Sequence, residues 1–210
     1  MKLNTGIKYI GIAGNIGAGK TTLCTQLGKH FDWDVNFEST DDNPYLSDFY
    51  HDMSRWSFNL QVYFLHNRYK QVLKILEGER VVVQDRTIYE DANIFAPNLH
   101  KMGLMSKRDF ENYLALFDLM TSQIQKPDLL IYLRASIATL VEHIQDRGRD
   151  YEGNMSIEYL KRLNGMYEEW IGKYKGKLLV IKVDDLDFKN NPEDLGKILN
   201  QVQGELHGLF

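Results

Sequence analysis

A glycine-rich segment near the beginning of the sequence constrains the fold more than any other feature. Residues 14–21 read Gly-Asn-Ile-Gly-Ala-Gly-Lys-Thr, which matches the pattern G-x-x-x-x-G-K-[ST]. An apolar run over residues 7–13 precedes this segment, and a helical pattern with Leu23 and Leu27 follows it. A strand, a glycine-rich turn and a helix in this order form a phosphate-binding P-loop. We therefore expect the chain to bind a nucleoside triphosphate.

Each part of the segment has a physical role in binding phosphate. Glycines let the backbone turn tightly, so that successive N–H groups point at an anion, and the helix N-terminus adds partial positive charge. Lys20 is predicted to reach the β- and γ-phosphates, and the Thr21 hydroxyl to ligate Mg²⁺. We expect contacts to ATP along the whole loop, through Gly14, Asn15, Ile16, Gly17, Ala18, Gly19, Lys20, Thr21 and Thr22.

Composition limits the choice of partners. With 210 residues, the chain has the length of a single α/β domain, which we place at residues 1–210. A net charge of −4 gives no basic field that would favour nucleic acid, and no apolar run approaches the length of a membrane span. The single cysteine, Cys24, excludes a disulfide within the chain and favours the reducing cytoplasm.

Strands and helices alternate along the sequence. We predict strands at residues 7–13, 35–37, 80–84, 129–133 and 177–183, helices between them, and a loop over residues 96–103. This alternation predicts an α/β fold in which a five-stranded parallel sheet carries helices on both faces. Ligands of such sheets bind at the carboxyl ends of the strands, so the polar residues there are the candidates for chemistry.

Three polar residues follow the second and third predicted strands. Glu38 lies just past the second strand, where a carboxylate is positioned to take a proton from an alcohol that attacks the γ-phosphate. Asp85 ends the third strand, at the place where P-loop proteins hold Mg²⁺ with an acid, and Arg86 beside it is suited to neutralise phosphate or to hold the carboxylate of Glu38. A solvated loop glutamate and a structural ion pair are the alternative interpretations.

Two further arginines, Arg147 and Arg149, flank Gly148 between two predicted helices. This arrangement suits a short lid, at about residues 143–154, that brings positive charge to a transferred phosphoryl group. An exposed, charged helix end would look the same in sequence.

Together, these segments resemble the deoxynucleoside kinase family, the relatives of deoxycytidine and deoxyguanosine kinases, over nearly the whole chain. The P-loop is similar to the family's GNIxxGKST, and residues 55–58 read RWSF as in the family. Gln61 and Arg68 keep a family spacing of seven positions on one helix face. Residues 85–91 resemble the ERSxYxD motif, and the arginine pair followed by Glu152 resembles the family's lid.

This resemblance implies a P-loop kinase fold, ATP and Mg²⁺ as cofactors, a deoxynucleoside substrate and a homodimer. It implies that Glu38 is the base for the 5′-hydroxyl, steadied by Arg86. It also implies that the sugar 3′-hydroxyl is bound by Tyr50 and Glu152. By the same resemblance, the nucleobase is contacted by Gln61, Arg68, Asp91 and the stacking ring of Phe95, and ATP by His143, Arg147, Arg149, Asp187 and Phe188.

Departures from the family pattern bear on the choice of base. Asp85 replaces a glutamate, His143 replaces a lid arginine, and Asn43 stands where some relatives carry an aromatic residue. The resemblance of Arg68 and Asp91 to the residues of deoxycytidine and purine deoxynucleoside kinases predicts that thymidine is the poorest substrate. The smaller Asn43 favours a purine, with deoxyadenosine first, although the bulk of Phe64 argues for a narrower pocket.

Three other functions compete with this one. A GTP-dependent switch would need an N-K-x-D motif near a late strand, and the sequence has none. A nucleoside monophosphate kinase of the thymidylate type shares the P-loop and lid, but its acceptor phosphate requires cations, whereas residues 36–42 contain three acids and no lysine or arginine. The third alternative is a nucleotide-binding module without catalysis, which would not need Glu38 or the arginine pair.

Overall fold

The sheet of the computed structural model has five parallel strands. The structure describes residues 6–38, 43–148 and 156–207. The strands, in chain order, are β1 (Tyr9–Gly14), β2 (Asp34–Asn36), β3 (Val82–Asp85), β4 (Leu129–Arg134) and β5 (Leu178–Lys182). Their spatial order is β2-β3-β1-β4-β5, and every neighbouring pair is parallel. The sheet predicted from the alternating sequence pattern is confirmed.

Helices flank the strands. They are α1 (Lys20–Phe31), α2 (Leu46–His51), α3 (Met53–Glu77), α4 (Ile88–Glu90), a π-helical turn (Asp91–Phe95), α5 (Ala96–Lys101), α6 (Lys107–Thr121), α7 (Ile137–Arg147), α8 (Ile157–Gly172) and α9 (Pro192–His207). Serine side chains cap the N-termini of α6, α7 and α8, and the cap of α7 is Ser136 as the sequence predicts. In the described part of the chain, no helix is long and apolar enough to cross a membrane.

Both faces of the sheet are covered because alternate residues of the central strands point to opposite sides. In β4, Ile131 packs in the core cluster that includes residues of α1 and α9, whereas Leu130 and Tyr132 pack in the cluster formed with α8. The strand is buried on both sides, which explains its nearly continuous apolar sequence.

One predicted loop is a helix. The sequence predicts a loop over residues 96–103, but α5 occupies Ala96–Lys101. Pro97 lies in the first turn of α5, directly after the π-helical turn, and the helix continues through it. The π-helical turn leads directly into α5, and these residues therefore form one continuous helical path from Ile88.

Candidate active site

A cleft of about 1180 Å³ opens at the carboxyl edge of the sheet. The strand register explains its position, because Ile12 of β1 pairs with both Asp85 of β3 and Ile131 of β4. The residues that follow these strands therefore start from one edge. Two groups of side chains line the cleft, one around the P-loop and one around Glu38.

The P-loop has the backbone geometry that its glycines predict. Gly17 and Gly19 adopt φ angles of 86° and 92°, in the left-handed region that favours glycine. A Cβ atom on Gly17 would lie 2.7 Å from the carbonyl oxygen of Leu140, so the close approach of α7 also requires glycine. The Lys20 ammonium donates to the carbonyl of Asn15 at 3.0 Å. Burial, followed by the charge of Arg86, lowers the pKa of Lys20 to about 8.

Thr21 and Asp85 meet at the beginning of α1. The Thr21 hydroxyl donates to Asp85 Oδ2 at 2.5 Å. Among the described residues, Asp85 Oδ1 is buried and has no hydrogen-bond partner. A buried carboxylate oxygen without a partner, beside a hydroxyl, is the kind of donor set that Mg²⁺ accepts, so these residues fit the predicted metal.

Glu38 lies between two arginines, and its side chain is only 16% exposed. Arg86 Nη1 donates to Glu38 Oε1 at 3.1 Å, and Arg68 Nη2 donates to the same oxygen. Burial alone would raise the pKa of Glu38, but the charges of Arg86, Arg68 and Lys20 outweigh it and lower the pKa to about 2. The contact with Arg86 was foreseen from sequence, whereas the contact with Arg68 was not.

Arg68 also binds Asp91. Its Nη1 donates to Asp91 Oδ1 at 3.0 Å and to Oδ2 at 2.8 Å. Burial raises the pKa of Asp91 to about 7, against the opposing effect of Arg68. Gln61, which lies on the same face of α3 as Arg68, lines the cleft as Asp91 does. Its Oε1 is buried without a partner among the described residues. Of the three polar residues that the resemblance assigns to the nucleobase, Gln61 and Asp91 line the cleft, whereas Arg68 is buried beside it and bound to Asp91.

Aromatic rings border these charged groups. The guanidinium carbon of Arg86 lies 4.4 Å from the centroid of the Phe95 ring, and that of Arg68 lies 4.8 Å from the centroid of Phe64. Phe95, Phe64 and Tyr50 all line the cleft. Asn43 is buried and its side-chain oxygen accepts from the Tyr45 N–H, but it is absent from the lining of the cleft.

The opposite end of the cleft carries the other residues predicted for the nucleotide. His143 Nδ1 lies 2.8 Å from the Gly17 carbonyl oxygen, and Arg147 lines the cleft from the same helix. Asp187 and Phe188 line it too, and the Phe188 ring lies against Gly19. Arg149 and Glu152, together with the rest of the predicted lid after residue 148, lie outside the described residues.

Glu90 contacts the P-loop, a position that the sequence does not predict. This residue is fully buried, and its carboxylate accepts from the Thr87 N–H at 2.7 Å, the Tyr167 hydroxyl at 2.8 Å and the Gly14 N–H at 3.4 Å. It thus links the beginning of the P-loop to α4 and α8. The only sequence signal was the T-x-x-E spacing of Thr87 and Glu90, which is typical of a helix N-terminus and does not predict contact with a P-loop.

A parallel sheet with a P-loop, and with a carboxylate that faces the loop across a cleft, defines a P-loop kinase. Comparison with known proteins narrows this class. The chain belongs to the deoxynucleoside kinase family, whose model matches residues 10–207. It is accordingly an enzyme, and ATP is the phosphate donor that the family implies.

The relatives cover nearly the whole chain. A deoxyadenosine/deoxycytidine kinase from Bacillus subtilis is 39% identical over 201 residues, which are 94% of this chain and 93% of that protein. A deoxyadenosine kinase from Dictyostelium discoideum is 40% identical over 91% of this chain and 77% of its own length. A solved structure of deoxyadenosine kinase from M. mycoides with bound dCTP superposes with a TM-score of 0.82, at 30% identity, and covers 93% of this chain and 98% of the other.

Proposed function

We propose that this enzyme transfers the γ-phosphoryl group of ATP to the 5′-hydroxyl of a deoxynucleoside, with deoxyadenosine as the preferred substrate. The observation that carries this proposal is the buried carboxylate of Glu38, which faces the P-loop across the cleft and is held by Arg86. The segment around Glu38, residues 36–42, contains three acids and no lysine or arginine, which favours a neutral hydroxyl over an acceptor phosphate.

Glu38 accepts the proton of the 5′-hydroxyl as the 5′-oxygen attacks the γ-phosphorus. The new O–P bond forms while the bond to the bridging oxygen of ADP breaks, so ADP leaves with that electron pair. Arg86 keeps the carboxylate aimed at the hydroxyl, since its guanidinium is fixed by Glu38 and by the ring of Phe95. A positioned base of this kind typically contributes roughly 10²–10⁴ in rate.

Lys20 neutralises the negative charge of the transferred phosphoryl group, together with Arg147 and Arg149 of the predicted lid. Mg²⁺, when bound, neutralises phosphate charge, and Thr21 and Asp85 would hold it, as the unpartnered oxygen of Asp85 suggests. His143, Asp187 and Phe188 border the ATP end of the cleft, where the ring of Phe188 offers a surface for the adenine.

The other end of the cleft is proposed to recognise the nucleoside. Gln61 and Asp91 line it and offer a donor and acceptors to the edge of the base, Arg68 binds Asp91, and Phe95 offers a stacking face. Tyr50 and Glu152 are assigned to the 3′-hydroxyl. An exocyclic amino group suits Asp91 and the unpartnered Oε1 of Gln61. Thymine has no such group, and a buried polar group that stays unpaired costs about 1–3 kcal/mol. The relatives named for deoxyadenosine support the same preference.

Two properties of the enzyme in the cell belong to the same proposal. We place it in the cytoplasm, because Cys24 is a free, buried thiol and the chain has no second cysteine to pair with it. We expect a homodimer by analogy with the family, whose chains the sequence resembles over nearly its full length.

A phosphorylation assay with ATP and the four deoxynucleosides tests the substrate proposal. We expect deoxyadenosine to give the highest kcat/KM, deoxyguanosine or deoxycytidine to follow, and thymidine to be poorest. Thymidine at the top would contradict both this order and the roles given to Arg68 and Asp91.

A further inference from the structure

Arg68 contacts both the residue proposed as catalytic base and a residue proposed to read the nucleobase. Its guanidinium is only 4% exposed, and it uses separate nitrogens for its two partners. Nη1 binds both oxygens of Asp91, whereas Nη2 binds Glu38 Oε1. Because α3 supplies Arg68, the loop after β2 supplies Glu38 and the π-helical turn supplies Asp91, a shift of one guanidinium affects both ends of the acceptor site.

We propose that Arg68 is a positioning residue that couples recognition of the nucleobase to the ability of Glu38 to accept a proton, an inference that rests on the proposed function. Without a nucleoside, Arg68 holds Glu38. A base with an acceptor atom within reach of Arg68 draws the guanidinium away and leaves Glu38 to Arg86 alone. A nucleoside without such an acceptor binds but leaves Arg68 on the carboxylate.

The electrostatics of Glu38 make this coupling effective. The charges that surround it are Arg68 from α3, Arg86 after β3 and Lys20 from α1, and all three lower its pKa. A carboxylate held by two guanidiniums is a weak proton acceptor, since a general base works best when its pKa lies near the operating pH. Loss of one charge-assisted hydrogen bond therefore makes Glu38 a stronger base while Arg86 still fixes its direction.

Turnover, and not only binding, should then depend on the nucleobase. Part of the binding energy of a correct nucleobase is used to separate Arg68 from Glu38, which is a form of induced fit. Gln61 offers a matched comparison, because it is buried in the same part of the cleft, on the same helix, and makes no hydrogen bond with Glu38 in the described structure.

The test compares deoxyadenosine with the N1-linked 2′-deoxyriboside of 4-aminoindole, which keeps the shape and the amino group but has no acceptor nitrogen in either ring. Saturating kcat is measured for both in the full-length wild type, Arg68→Met and Gln61→Ala. In the wild type, kcat for deoxyadenosine should exceed that for the indole analogue by roughly 10- to 100-fold, the worth of a hydrogen bond to a charged group. In Arg68→Met this ratio should fall to about threefold or less, whereas Gln61→Ala should raise KM and keep the wild-type ratio.

A kcat ratio that survives in Arg68→Met would overturn the coupling. If both kcat values also fall by the same factor, Arg68 only holds Glu38 in place. Arg68→Lys, which keeps the charge, provides a second variant if the methionine variant does not fold; it should reduce the ratio as well, because one ammonium cannot reproduce the forked contacts. A wild type that phosphorylates no deoxynucleoside contradicts the proposed function instead, so the two failures are distinguishable.

Discussion

The two ends of the cleft are built in different ways. The donor end consists of the P-loop, residues 14–22, with residues from α7 and Phe188 beside it. The acceptor end consists of Glu38, Arg68, Arg86 and Asp91, which come from separate parts of the chain and are joined by ion pairs. One end therefore offers mainly backbone N–H groups of a continuous segment, and the other offers buried charges.

This difference has consequences for specificity. Backbone N–H groups and a helix N-terminus recognise the phosphates that all nucleoside triphosphates share. Buried side-chain charges are costly unless they are paired, so the acceptor end discriminates strongly between ligands that satisfy them and ligands that do not. Substitutions at the donor end should affect ATP, and those at the acceptor end should affect the nucleoside and the proton transfer.

The largest effect is expected at the acceptor end, for Glu38→Gln. The amide keeps the shape of the side chain but cannot accept the proton, so kcat should fall by roughly 10²–10⁴. The affinity for deoxyadenosine, measured by calorimetry, should change much less. Near-normal turnover would remove Glu38 from the role of base.

The same variant should also alter acid stability. Because the pKa of Glu38 is lowered from 4.5 to about 2, its contribution to stability is present above pH 4.5 and is lost as the pH falls towards 2. That contribution is about 3 kcal/mol at neutral pH. Chemical unfolding at several pH values should show a difference between wild type and Glu38→Gln that shrinks over this range. Glu111→Gln, in an exposed pair with Lys107, is the control and should leave the curve unchanged.

At the donor end, Gly17→Ala should weaken ATP binding and spare the nucleoside. An alanine at φ 86° is strained by roughly 1–2 kcal/mol, and its Cβ would meet the Leu140 carbonyl oxygen. This corresponds to a rise in the KM for ATP of about tenfold. The KM for deoxyadenosine, measured at saturating ATP, should stay within about twofold; an equal rise in both constants would contradict the separation of the two ends.

The smallest predicted effect is a pH dependence of nucleoside binding. Burial raises the pKa of Asp91 to about 7, so acidification protonates the carboxylate that is proposed to accept from the amino group of the base. Between pH 7 and pH 6 the ionised fraction falls about fivefold, and the affinity for deoxyadenosine without ATP should fall by a similar factor. Asp91→Asn should show a flatter profile. A wild-type affinity that is constant over this range would contradict the assignment.

The donor end was easier to predict from sequence than the acceptor end. The spacing of Gly14, Lys20 and Thr21 is a local motif, and the strand and helix beside it are recognisable from apolar periodicity. The pairing of Arg68 with Glu38 joins residues 30 positions apart, and Glu90 reaches back 76 positions to Gly14. No local pattern encodes such contacts, because they depend on how α3 and α4 pack against the sheet.

The most direct test of the account is a comparison of two acceptors, deoxyadenosine and its 5′-monophosphate, in the same assay with ATP and Mg²⁺. Phosphorus NMR of the products identifies the oxygen that receives the phosphoryl group. The account predicts that deoxyadenosine becomes the 5′-monophosphate, that the monophosphate is not phosphorylated further, and that Glu38→Gln loses the first reaction. Preferential conversion of the monophosphate to the diphosphate would contradict it.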